Sequence, residues 1–158
     1  MIKKIKIISI VIFSILLVSC GFKIINQTQS LIYIQNINVT GDRQAGSIIK
    51  NNISLISNEE AKDKYTIDLK ANKKTSTKIK NEKGKTTRYE LIIMADLVLT
   101  NINDQQFIIK KTFLKSVDYE ATKLHFDTII NEKKAFKTAT QEISEQIINF
   151  ITFAIKNK

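Results

Sequence analysis

Arg88-Tyr89-Glu90-Leu91-Ile92-Ile93-Met94-Ala95-Asp96-Leu97-Val98-Leu99-Thr100 is the strongest strand in this chain of 158 residues. Tyr89, Leu91, Ile93, Ala95, Leu97 and Leu99 share one parity, and a strand sends alternate side chains to opposite faces. Ile92, Met94 and Val98 make the second face apolar as well, so the pattern predicts a strand covered on both sides through its middle.

Towards the N-terminus, residues 72–88 form the most polar stretch of the chain. Lys73, Lys74, Lys78, Lys80, Lys83, Lys85 and Arg88 stand there against a lone acid, Glu82. Gly84 within Asn81-Glu82-Lys83-Gly84-Lys85 marks a hairpin tip, because glycine takes a positive φ without penalty. Thr75, Thr77, Thr86 and Thr87 suit extended arms, so a long hairpin with a basic, exposed far end is expected. Before it, Tyr65, Ile67, Leu69 and Ala71 alternate with Thr66, Asp68 and Lys70, the signature of a strand buried on one face. Ala45, Ile48, Ile49, Ile53 and Ile56 recur at helical spacing behind Asp42, a suitable N-cap, and predict about four turns of amphipathic helix running into residues 57–60. Residues 31–39 read as a first strand with Leu31, Tyr33 and Ile37 on one parity.

Towards the C-terminus, residues 101–105 read as a turn and 106–117 as a fourth strand, with Phe107, Ile109 and Phe113 on one parity; the chain is expected to loosen over 116–120. Asp127 or Thr128 can then cap a long final helix, where Ile129, Phe136, Ala139, Ile143, Ile147, Phe150 and Ala154 make a continuous apolar stripe. The order is strand, helix, three hairpin-linked strands, helix. Two helices must bury their stripes on one face of a mostly antiparallel four-stranded sheet, which is an α+β two-layer sandwich of order β-α-β-β-β-α.

The start of the chain has a different logic. Lys3, Lys4 and Lys6 precede an apolar run over 7–18, and Leu17-Val18-Ser19-Cys20 closes it with a small residue before the only cysteine. A basic start, an apolar middle and a small-residue cut site make a secretory signal. The run is shorter than the roughly 20 apolar residues needed to span a bilayer. Leu17 to Cys20 resembles the lipobox of bacterial lipoproteins, in which the cysteine is acylated and becomes the first mature residue. The expected organisation is a signal peptide at 1–19, a lipidated linker at 20–30 beginning with Cys20, and one domain at 31–158. Gly21, rather than Asp, after the cysteine favours the outer membrane under the enterobacterial sorting rule.

Composition narrows the function classes. With Cys20 acylated no thiol remains for a disulfide or a thiolate metal site, and a single histidine, His125, excludes a multi-histidine centre. Asp63, Asp68, Asp96 and Asp104 lie on separate segments without a flanking catalytic signature, and no phosphate loop, serine elbow or metal motif is present. No cofactor, no metal and no enzymatic activity are expected. The net charge is +10; removing residues 1–19 takes away three lysines and no acid, leaving +7. A positive surface attracts phosphate-rich partners, and the export signal argues against nucleic acid. The abundance of Lys, Ile and Asn with two arginines and no proline is also what an AT-rich genome produces without selection for charge.

The whole pattern resembles the LPS-assembly lipoprotein family (LptE). The resemblance rests on Cys20-Gly21-Phe22 at the mature start, on the element order, and on residues 116–139, with Asp118-Tyr119 before the helix and Glu132 and Ala135 within it. Where the family continues Cys-Gly-Phe with Arg or Gln and then Pro-Leu-Tyr, this chain has Lys23-Ile24-Ile25. The resemblance implies a non-catalytic outer-membrane lipoprotein. It would sit as a plug in the lumen of an LptD-like β-barrel, assist its folding, and take part in placing lipopolysaccharide in the outer leaflet. The implied partners are that barrel, as a heterodimer, and lipopolysaccharide. The candidate lipopolysaccharide contacts are Lys73, Lys74, Lys78, Lys80, Lys83, Lys85 and Arg88, since lysines offer point charges to phosphate and arginine can bind bidentately. Two other readings of the same residues stand beside this one: a solvated loop rich in lysine, and a cluster that serves only to dock in the barrel. A lipid-binding envelope lipoprotein without a barrel partner is the alternative function.

Overall fold

The computed structural model describes residues 32–104 and 108–156. The signal segment, Cys20 and the linker lie outside the described residues, as do Leu31 and Phe107. Six elements follow in the expected order: β1 (Ile32–Gly41), α1 (Arg43–Ser54), β2 (Asp63–Lys80), β3 (Thr86–Asn101), β4 (Ile108–Glu120) and α2 (His125–Lys156). They build one four-stranded sheet in the order β1-β2-β3-β4. β1 and β2 are parallel, which requires the α1 crossover, while β2–β3 and β3–β4 are antiparallel hairpin pairs. The fold is the α+β sandwich that the alternation and helical spacing predict.

The core lies between the helices and one sheet face. Leu91, Ile93, Ala95, Leu97 and Leu99 of β3 are buried beside Tyr65, Ile67, Leu69 and Ala71 of β2. Ala45, Ile49 and Ile53 of α1 and Phe136, Ala139, Ile143, Ile147 and Ile151 of α2 close over them. Each large aliphatic removed from water here contributes about 1.5–3 kcal/mol. Asp42 caps α1 as expected, its Oδ1 accepting from the Ala45 amide at 2.8 Å. Among the described residues no helix is long and apolar enough to cross a membrane.

The structure corrects several details. β3 is covered on one face, not two: Leu91 to Leu99 alternate buried with half-buried Ile92, Met94 and Val98. Both helices lie on the same side, and on the opposite side Leu114 of β4, opposite Met94, is 58% exposed. In β1 the inward residues are Ile32, Ile34 and Ile37, because an irregularity between Ile34 and Asn36 switches parity mid-strand. α1 ends at Ser54, a turn early. The following residues are drawn to β1, where the Ile34 amide donates to Ser57 Oγ (2.9 Å) and the Asn58 amide to the Ile32 carbonyl (2.8 Å). β4 does not loosen at residue 116 but pairs through Arg88↔Glu120, its end held by Tyr119 stacked on Tyr89 with ring centroids 5.3 Å apart. α2 begins at His125, so Asp127 and Thr128 lie in its first turn instead of capping it; Thr128 Oγ1 accepts from the Thr122 amide at 2.9 Å.

Candidate functional site

The seven cations singled out in the sequence lie on the β2–β3 hairpin, which outruns both neighbouring strands. β1 leaves β2 at Gly41↔Ala71, and β4 reaches only to the level of Arg88. Beyond those points the two arms continue to a tip at residues 81–85. Asn81 organises the tip. Its Oδ1 accepts from the backbone amides of Lys83 (3.1 Å) and Lys85 (2.9 Å), its own amide donates to the Lys85 carbonyl (2.9 Å), and its carbonyl accepts from the Gly84 amide (2.9 Å). Gly84 has φ +74°, the positive φ expected of it. This side chain-to-backbone ring is the Asx-type closure that the short amide of asparagine permits. Thr87 Oγ1 donates to the Ile79 carbonyl at 3.3 Å and steadies the neck.

Pairing divides the seven into two groups. Lys73 Nζ lies 2.8 Å from Glu132 Oε1 of α2 and 5.2 Å from the Phe136 ring centroid. Lys78 Nζ donates to both oxygens of Asp118 at 2.8 and 2.9 Å, with Glu90 at 3.9 Å. The Asp118 hydrogen bond holds the Lys78 ammonium above its ordinary pKa. Arg88 approaches Glu120 at 3.6 Å. Lys74, Lys80, Lys83 and Lys85 have no acid partner among the described residues. These four remain as unneutralised charges, two of them fixed at the tip by the Asn81 ring.

The other polar residues weighed in the sequence have local duties. Asp68 accepts from Asn38 Nδ2 (2.8 Å) and Asp96 from Thr112 Oγ1 (2.7 Å). Among the described residues no group of three or more His, Cys, Asp or Glu side chains is placed to hold a metal. Two grooves flank α2. One, of about 350 Å³, is bounded by Val117, Tyr119, Asn131 and Ala135; the other, of about 370 Å³, by Ile48, Leu55, Ile56 and Ile148. None of the seven cations lines either groove, but Asp118 and Glu120, the partners of Lys78 and Arg88, line the first.

Sequence reasoning passed over two residues. Asn81 was legible in retrospect as the polar residue opening an Asn-Glu-Lys-Gly-Lys turn. Asn101 is fully buried at the end of β3, with Oδ1 accepting from the amides of Asn103 (2.8 Å) and Asp104 (3.0 Å). Its signal is a single asparagine ending an apolar run.

No family model matches the chain, and no curated protein does. Solved structures share its fold. Rare lipoprotein B from Shewanella oneidensis superposes with a TM-score of 0.60 at 12% identity, covering 77% of this chain and 97% of that one. A putative lipoprotein from Caulobacter crescentus gives 0.54 at 14% identity, over 77% and 90%. A minor lipoprotein from Acinetobacter baumannii gives 0.54 at 8% identity, over 74% and 91%. At these identities the likeness is one of fold.

Proposed function

We propose that this chain is a lipid-anchored envelope lipoprotein of the outer membrane that plugs and assists an LptD-like β-barrel and takes part in delivering lipopolysaccharide. The role is non-catalytic: the domain presents a surface, and its work is binding. The observation that carries this reading is the coincidence of a lipobox at Cys20 with a fold shared by three lipoproteins over nine-tenths or more of their own length. The hairpin supports it further. A tip closed by the Asn81 hydrogen bonds and carrying Lys83 and Lys85, neither paired with an acid among the described residues, suits the phosphates of a lipopolysaccharide headgroup, where each ammonium acts as a compact point charge.

The test is a mild-detergent pull-down of the tagged, lipidated protein from its own membranes, with mass spectrometry of what accompanies it. A stoichiometric outer-membrane barrel is the expected result. Recovery of the lipoprotein alone, at native expression, sinks the plug reading and leaves an envelope lipoprotein that binds lipid without a barrel. Lys83→Glu with Lys85→Glu should then weaken lipopolysaccharide binding in vitro while leaving the unfolding midpoint unchanged.

A further inference from the structure

The free edge of β2 offers a second binding surface, of a different kind. β1 runs alongside β2 only as far as Gly41↔Ala71, where the Asp42 amide donates to the Ala71 carbonyl at 2.7 Å and the chain turns away into α1. β2 continues to Lys80. On its other side it stays paired with β3, from Asn72↔Met94 through Thr77↔Tyr89. In an antiparallel pair the backbone groups of alternate residues point to opposite edges. The Ala71 carbonyl faces the β1 side, so the N–H and C=O groups of Lys73, Thr75 and Thr77 face that side too. No backbone hydrogen bond among the described residues closes this edge beyond Ala71.

A row of unpaired N–H and C=O groups on a strand of regular geometry is a template for one more strand. Residues 72–77 give room for a strand of about five or six residues, the usual length, before the irregularity at Thr77/Ile79 ends the regular ladder. The charge on this edge selects the occupant. Residues 72–80 hold Lys73, Lys74, Lys78 and Lys80; Lys73 and Lys78 are paired with Glu132 and Asp118, so Lys74 and Lys80 carry the charge left over on this edge. A second copy pairing antiparallel through the same stretch brings the lysines of both copies onto one seam, opposite or diagonal to one another according to register, and like charges so placed repel. Acidic side chains at alternate positions of an incoming strand meet Lys74 on the face away from the helices, where Lys78 is already held by Asp118.

We propose that the 72–77 edge of β2 is a strand-addition site for an extended, acidic polypeptide segment of another protein, held by backbone pairing to Lys73, Thr75 and Thr77 and selected by the edge lysines. This goes beyond the barrel and lipopolysaccharide reading, does not depend on it, and makes no use of the tip lysines Lys83 and Lys85.

The test uses the whole mature chain and a short blocked peptide in which glutamate alternates with threonine or valine. Binding is followed by titration, and pairing by amide exchange in NMR. The expected result is binding that weakens with salt, with new protection at the Lys73, Thr75 and Thr77 amides. The all-D peptide, equal in charge but mismatched in backbone, should bind at least about tenfold more weakly, the equivalent of one or more lost hydrogen bonds. Thr75→Pro removes an outward N–H at a position where an edge strand tolerates proline, and should weaken binding by a similar factor. Thr75→Ala keeps the N–H and controls for the lost hydroxyl. Lys74→Glu should weaken binding without unfolding the chain. Equal binding of the L and D peptides overturns the proposal by showing charge attraction alone. Protection of the same amides by self-association, seen in sedimentation without peptide, overturns it in favour of a second copy. Absence of binding by the L peptide overturns it outright.

Discussion

Gly41 and Gly84 both have positive φ, +85° and +74°, yet alanine at the two positions should have very different consequences. A Cβ on Gly84 meets nothing within 4 Å, so Gly84→Ala imposes only left-handed backbone strain, about 1–2 kcal/mol. A Cβ on Gly41 falls 2.1 Å from the Ala71 carbonyl oxygen, which belongs to rigid backbone in the middle of β2. Relief requires β1 to lift from β2 by on the order of an ångström. That lift strains the hydrogen bond from the Asp42 amide to the same carbonyl, 2.7 Å long, worth about 0.5–1.5 kcal/mol. It also moves Asp42 itself, whose cap on α1 is worth about 1 kcal/mol. Gly41→Ala should therefore destabilise the domain by about 3–4 kcal/mol, roughly 2 kcal/mol more than Gly84→Ala. Urea unfolding of both variants and the parent, followed by circular dichroism and compared at equal m, measures the difference. Amide exchange should locate the weakening of Gly41→Ala at the end of β1 and the first turn of α1. If the two variants lose equal stability, the close approach of β1 to β2 at this point is wrong, and with it the account of why the β2 edge opens where it does.

Three further outcomes follow from the packing and the electrostatics. Ile143→Ala empties a fully buried site between α2 and the sheet and should cost about 2–5 kcal/mol in the same unfolding assay. Asn101→Ala deprives two turn amides of their acceptor and should cost about 1–3 kcal/mol, with faster exchange at Asn103 and Asp104. Tyr65 and Tyr119 have pKa values raised first by burial, and Lys78 by its hydrogen bond to Asp118; each thus holds its proton to higher pH folded than unfolded. Their contribution to stability is complete below about pH 10, the ordinary range of both residue types, and is lost as pH rises through the folded values. Unfolding midpoints should fall on the alkaline side of pH 10, and Tyr119→Phe should make that fall shallower.

The elements were legible because each carries its own period. Alternation in 65–71 and 89–99 marked strands, and three-to-four spacing marked both helices. The misread points are those where a distant segment decides. Parity in β1 depends on an irregularity that its pairing with β2 sets, and no local pattern marks it. α1 stops early because Ser57 and Asn58 are bonded to β1. The open face of β3 appeared covered because Ile92, Met94 and Val98 are apolar; whether a layer lies over them depends on where both helices pack. The parallel pairing of β1 with β2 is likewise a consequence of the α1 crossover.

The same distinction governs the candidate site. Seven cations in 73–88 look alike in sequence, and counting charge cannot rank them. The acids that neutralise three of them lie far along the chain: Glu132 for Lys73, Asp118 for Lys78, Glu120 for Arg88. Register brings them together. Asp118 stands opposite Glu90 in the β3–β4 ladder, beside the Ser76↔Glu90 pair of β2–β3, so Lys78 falls within reach of both carboxylates. Substituting Lys73, Lys78 or Arg88 therefore releases a carboxylate as well as removing a cation, and a loss of ligand binding at those positions mixes two effects. Lys74, Lys80, Lys83 and Lys85 are free of that ambiguity. Lys74 lies along the open edge, while Lys83 and Lys85 sit on the Asn81 ring at the far tip, so charge reversal at the edge and at the tip separates strand addition from phosphate recognition in one set of variants.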